Sequence, residues 1–204
     1  NQDKVRQIEE YYAQCELEGA NEHQVEESQK AVAKMEVIIG DPDRLRAVAE
    51  DFIKHYETRV AEGATVAGKA MFVCSNRNIA YDFYKIVKEL RPEWTEKKIC
   101  DDGVVLSEKD KKELKPMEKI KLVMTRNKDD EKDLFDMLGT KEDRKEFDRQ
   151  FKNPKSNFKI AIVVDMWLTG FDVPELDTIY IDKPIQQHTL IQTISRVNRV
   201  CEGK

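Results

Sequence analysis

The chain has 204 residues, 40% of them hydrophobic and 37% charged, with a formal net charge of −5. That is room for one large α/β domain, alone or with a helical appendage. No window approaches the roughly 18 consecutive apolar residues of a membrane span, and the acidic balance argues against a protein that coats nucleic acid through diffuse positive charge.

The expected setting is cytoplasmic, away from membranes. The chain opens at Asn1 without a methionine and reads as an internal fragment. Four cysteines (Cys15, Cys74, Cys100, Cys201) and three histidines (His23, His55, His188) lack CxxC or HxxxH spacing, so no disulfide framework and no metal site is expected.

Residues 1–62 read as three helices. Val5, Ile8, Tyr12 and Cys15 form one apolar stripe, and Val25, Val32, Met35 and Ile39 form a second. The third helix is the clearest: Asp41 and Pro42 supply a cap and a first-turn proline. Leu45, Val48, Ala49, Phe52, Ile53, Tyr56 and Val60 then recur at helical spacing. These stripes predict packing against one another or against a neighbouring domain.

From residue 63 onward the pattern changes. "KAMFVCS" is an apolar strand ending at Ser75 and Asn76, which can cap the amphipathic helix "RNIAYDFYKIVKEL". The stretch Glu93 to Lys119 is too polar for a core and reads as a surface excursion. "KIKLVMT" then predicts a strand, and "TKEDRKEFDRQF" a helix in which Thr140 and Asp143 resemble a capping box. "KIAIVVD" is apolar at successive positions, as in a central parallel strand covered on both faces, and "DTIYID" behaves the same way over a shorter run. A last helix, from about His188 to Val200, follows Pro184. Strand and helix in alternation give a doubly wound parallel sheet flanked by helices.

Ligands of such sheets bind beyond the carboxyl ends of the strands. Ser75 to Arg77, Asp165 to Pro174 and the loop after Asp182 fall there. Gly170 allows close backbone approach, Asp172 offers a carboxylate and Pro174 stiffens the exit, although "GFDVP" alone is also an ordinary turn. On the last helix, about 100° per residue puts Gln192, Arg196 and Arg199 on one face and Leu190, Ile194, Val197 and Cys201 on the opposite one. Two arginines at this spacing are either a solvated helix face or a fork of donors for a phosphate. Trp94 and Trp167 read as core or rim packing, and paired acids such as Asp101-Asp102 and Asp129-Asp130 as solvated turns.

Taken together, "MWLTGFDVP" resembles motif V, and "QTISRVNR" the QxxGRxxR motif VI, of superfamily 2 helicases and translocases, with Ser195 where that pattern has glycine. More narrowly, "VVDMWLTGFDVPELDTIYIDKPIQQHTLIQTISRVNRV" resembles the motor part of the R subunit of type I restriction-modification enzymes, and "KAMFVCSNRNIAYDFY" looks like its motif IV region. The resemblance implies a second RecA-like motor domain over 63–204, truncated at its carboxyl end, behind a helical segment 1–62. It implies Arg196 and Arg199 as the arginine-finger pair. Gln192, Gly170 and Asp172 would serve the nucleotide, and Ser75, Asn76 and Thr169 would face the DNA.

The parent implied is an ATP-dependent deoxyribonuclease that translocates double-stranded DNA before cutting it. ATP and Mg²⁺ are its implied cofactors. Its implied partners are the first RecA-like domain and nuclease domain of the same polypeptide, and methylation and specificity subunits. No GxxxxGK[ST] loop and no Walker B motif occurs here, so the fragment alone is expected to be inactive. The triplet Glu96-Lys97-Lys98 matches a nuclease ExK pattern but sits in the polar excursion and reads as coincidence. A motor domain of another superfamily 2 helicase and a noncatalytic phosphate- or protein-binding module are the rival readings.

Overall fold

The computed structural model describes residues 30, 34–167 and 173–183. The chain divides into two compact units, Asn1–Asp41 and Pro42–Lys204. The described part of the first unit is helical over 34–39.

In the second unit, helix α1 (Pro42–Ala61) begins at the proline and buries Leu45, Ala49, Phe52, Ile53 and Tyr56, which follow the predicted stripe. Val60, counted on that face by spacing, is 41% exposed, since it lies in the last turn and lines an open cleft. Strand β1 (Lys69–Cys74) is buried at every position. It leads into α2 (Arg77–Leu90) and a 3-10 turn (Pro92–Thr95). After α3 (Glu108–Glu113) come β2 (Ile120–Val123), α4 (Lys132–Leu138) and α5 (Lys141–Lys152). Strands β3 (Ile160–Val163) and β4 (Leu176–Asp182) are the last elements among the described residues. The four strands form one sheet, β2-β3-β1-β4, parallel throughout, the RecA-like α/β architecture expected.

Side chains of β1 alternate between two cores. Met71 and Val73 join Val123, Ala161, Val163, Phe147, Phe151 and Phe158 on the face covered by α5. Phe72 points the other way, stacking on Phe83 of α2 at 3.9 Å and meeting Phe52 of α1 edge-on at 5.1 Å. Helices on both faces explain the uninterrupted apolar run in β3.

Two expectations need correction. The stretch from Glu93 to Lys119 does not lie outside the core: Trp94, Leu114 and Met117 are buried, and Lys98 and Met117 form an antiparallel bridge. Widely spaced apolar anchors in a charged segment carry no periodicity, so composition hid them. Among the described residues the "DTIYID" strand is not central. It ends the described sheet beside β1 alone, and its residues are mostly half-buried.

Candidate functional site

Because every strand runs the same way, the loops after β1, β2, β3 and β4 leave from one edge of the sheet. At the end of β1, Asn76 adopts extended backbone (φ −150°, ψ 175°) and its Oδ1 accepts from the Ile79 amide at 3.0 Å, capping α2. Ser75 Oγ donates to the Asp182 carbonyl at 2.9 Å, joining the ends of β1 and β4. Two of the three residues expected to face DNA, Ser75 and Asn76, therefore lie on this edge, and the third, Thr169, is outside the described residues. Asn76 retains its amide N–H donors. Helix geometry also leaves the Arg77 and Asn78 amides without intrahelical acceptors, at the positive end of a 14-residue helix.

The edge holds charged groups that motif spacing did not reveal. Arg77 forks onto Asp130, its Nη2 lying 2.6 Å from both carboxylate oxygens, and its Nη1 donates to the Thr125 carbonyl at 2.7 Å. Asp130 also accepts from the Asn127 amide at 2.6 Å. It is thus no solvated turn residue, since its side chain is only 7% exposed. Its neighbour Asp129 is exposed, as expected. Lys183 Nζ reaches from the end of β4 past β1 to the Val164 carbonyl at 3.1 Å and Asp165 at 2.9 Å, beyond β3. Arg44 of α1 binds both oxygens of the Asp182 carboxylate. A lone Arg or Asp gives no sequence signal of its partner 53 or 138 positions away.

Trp167, in the loop after β3, has φ 66°, in a region a bulky side chain rarely enters. Its ring stacks on Phe151 at 5.3 Å with 28° between planes and is partly buried against the core, in keeping with the rim packing expected. Burial pushes the Cys74 thiol up, so the cysteine that ends β1 is an unreactive apolar filler at neutral pH. The expectations at Thr169, Gly170, Asp172, Gln192, Arg196 and Arg199 lie outside the described residues.

The described edge gathers donors of the kind that can meet phosphate oxygens. It carries helix-terminal amides, an asparagine amide and guanidinium and ammonium groups already oriented by carboxylates. It is a poor metal cradle: Asp182 is taken by Arg44 and Asp165 by Lys183. Among the described residues no three His, Cys, Asp or Glu side chains converge on one point. None of the described helices is long and apolar enough to cross a membrane.

Comparison with known proteins agrees with this architecture. The family described as type I restriction enzyme subunit R domain 3 matches residues 66–204. The type I restriction enzyme HindI endonuclease subunit of Haemophilus influenzae is 36% identical over 179 residues, which is 88% of this chain and 15% of that protein. A Methanocaldococcus jannaschii protein, provisionally the type I restriction enzyme MjaIXP endonuclease subunit, is 38% identical over 187 residues, 91% of this chain and again 15% of the relative. A shorter match, 49% over 59 residues, is to the SauCOLORF180P endonuclease subunit of Staphylococcus aureus. The chain thus spans about a seventh of the length of the first two relatives. With its parallel sheet and the match along residues 66–204, this chain belongs to the family of type I restriction enzyme subunit R domain 3.

Proposed function

We propose that this chain is the second RecA-like motor domain of a type I restriction enzyme R subunit, taking part in ATP-dependent translocation of double-stranded DNA before endonucleolytic cleavage. The observation that carries the reading is the family match over 66–204, a span that includes the strand-end loops of one sheet edge. On this reading the domain works in the cytoplasm beside the first RecA-like and nuclease domains of its own polypeptide. Methylation and specificity subunits complete the complex.

The division of labour follows from what the chain holds. ATP hydrolysis supplies the free energy and Mg²⁺ offsets phosphate charge, but this chain has neither a Walker lysine loop nor, among the described residues, a carboxylate cluster for the ion. Its own contribution is to present Arg196 and Arg199 to the γ-phosphate as charge develops there, with Gln192, Gly170 and Asp172 beside the nucleotide. Asn76, Ser75 and Thr169 hold the DNA backbone, Asn76 through its amide donors and the amino end of α2.

The test is Arg199→Ala, and separately Arg196→Ala, in the intact enzyme. ATP turnover is expected to fall on the order of 10³-fold while DNA binding persists. Unchanged turnover in both variants would leave the noncatalytic binding module as the better reading.

A further inference from the structure

The opposite edge of the sheet carries a feature that the motor reading does not use. Ile120, Ile160 and Ala70 are paired in register across β2, β3 and β1, and the residue before each of them is a lysine: Lys119, Lys159 and Lys69. Parallel pairing therefore sets three lysines in a row along the amino edge. The Lys119 carbonyl accepts from the Lys159 and Ile160 amides, both at 2.9 Å, which fixes that register.

Lys69 turns inward. It is 1% exposed, with its amine 2.5 Å from the Phe158 carbonyl and 5.2 Å from the centre of the Phe151 ring. Lys119 and Lys159 instead line a cleft of about 520 Å³, together with Lys155, Asp101, Val66 and Val104. That volume is in the range of small-ligand pockets.

The charges of the cleft are not balanced from within. Lys159 Nζ lies 3.1 Å from Asp101, the lining's one carboxylate, and also donates to the Pro154 carbonyl at 2.8 Å. Lys155 is engaged by Asp110 at 2.6 Å. The Lys119 ammonium lies 5.5 Å and 5.4 Å from the ring centres of Tyr56 and Trp94, and among the described residues no carboxylate comes within salt-bridge distance of it. Aromatic faces hold a cation but do not neutralise it.

Burial above all lowers the basicity of Lys119. Asp101 opposes that and the charge of Lys159 adds to it, while Glu57 and Glu93 act from longer range. An anion seated between the two ammoniums would offset both the burial and the mutual repulsion.

We propose that this amino-edge cleft binds a small phosphate-type anion between Lys119 and Lys159, with Lys155 at its mouth. A phosphate group carries close to two negative charges, and its several acceptor oxygens can bridge two ammoniums that one carboxylate already partly serves. The inference stands apart from the motor reading, since it uses the other edge of the sheet and none of the strand-end loops.

The experiment follows the lysine ammonium signals of the 204-residue chain by NMR during titration with inorganic pyrophosphate and, separately, with AMP, at constant ionic strength. Saturable shifts at Lys119 and Lys159 are expected, with Lys97, 67% exposed and away from the cleft, unmoved. A response to pyrophosphate alone identifies a free inorganic anion, and a response to AMP identifies a phosphomonoester; either supports the site. Lys119→Met should weaken binding by roughly tenfold, and Lys119→Arg should retain most of it. Asp101→Asn removes the competing internal carboxylate and should tighten binding, a gain that misfolding cannot imitate. Equal shifts at Lys97 and Lys119, no response to either anion, a response only to single-stranded oligonucleotide, or weaker binding in Asp101→Asn would each overturn the proposal.

Discussion

Arg77, the first residue of α2, holds Asp130 in the loop after β2 with contacts of 2.6 Å to each carboxylate oxygen. The side chains are 22% and 7% exposed, so the pair is sheltered from screening, and Asp130 also secures the Asn127 amide. Asp130→Ala removes one buried partner and is expected to lower stability by roughly 1–3 kcal/mol. Asp129→Ala should stay within about 0.5 kcal/mol. Urea midpoints of the two variants decide it; equal costs would mean that the fork contributes nothing.

Asn76 separates a structural role from a binding one. Its side-chain oxygen caps α2, a contact worth about 1 kcal/mol, and aspartate caps equally well. Asn76→Asp should therefore keep the melting temperature while placing a negative charge where phosphate is expected. In the intact enzyme, DNA-stimulated ATP turnover should then fail at lower salt than in the wild type. Unaltered salt tolerance would take Asn76 off the DNA contact surface.

Gly139 and Gly63 share a positive φ, 64° and 66°, but not their surroundings. A Cβ at Gly139 would stand 2.7 Å from the Asp143 Cβ, against the capping box of α5, whereas at Gly63 nothing lies within 4 Å. Gly63→Ala should cost the backbone term alone, about 1 kcal/mol, and Gly139→Ala about 2–3 kcal/mol. Thermal unfolding measures the difference, which is the price of the clash.

Alkaline pH should weaken the fold. Burial raises the Tyr84 and Tyr180 phenols from 10.0 to about 12, and pushes Tyr56 and Cys74 up as well. A folded value above the unfolded one gives stability that is complete below pH ~10 and is lost as pH climbs towards ~12. Allowing for partial exposure, Tyr84 accounts for up to ~2 kcal/mol and Tyr180 for less. Phenolate absorbance should rise in step with unfolding rather than before it; early ionisation of these tyrosines would contradict their burial.

Phe52 is the hub of the aromatic core, with Phe72, Phe83, Trp94 and Tyr180 all within 6.4 Å between ring centres. Phe52→Ala is expected to cost about 3–5 kcal/mol in chemical denaturation. A cost near 1 kcal/mol would show that the neighbouring rings close the gap.

What the sequence revealed tracks how local each cause is. The capping box of Thr140 and Asp143, the Asn76 cap and the uninterrupted run of β3 are written within a few residues of one another, and the structure bears them out. Helix α4 was not foreseen: seven residues give too few turns for a stripe, and its cap, Glu131, makes no side-chain capping bond. Leu114 and Met117 read as part of a surface excursion because their neighbours are charged, yet tertiary contacts bury them, whereas Trp94 is packed in the core as expected. At the candidate site, Ser75 and Asn76 were legible from a strand running into a helix. Arg77, Arg44 and Lys183 were not, because each acquires its meaning from a partner far away in the chain.

The reach of Lys183 to Asp165 has a mechanical side. This single ammonium closes a short bracket between the segment leading into "LTGFDVP" and the segment leading into the terminal "QTISRVNR". The ends of β3 and β4, which are separated by β1, are thereby tied directly by one side chain. On the motor reading proposed above, the roots of the two motif loops share this one lysine, held by the Asp165 carboxylate and the Val164 carbonyl together, so that loss of the ion pair alone would leave half of the tie in place.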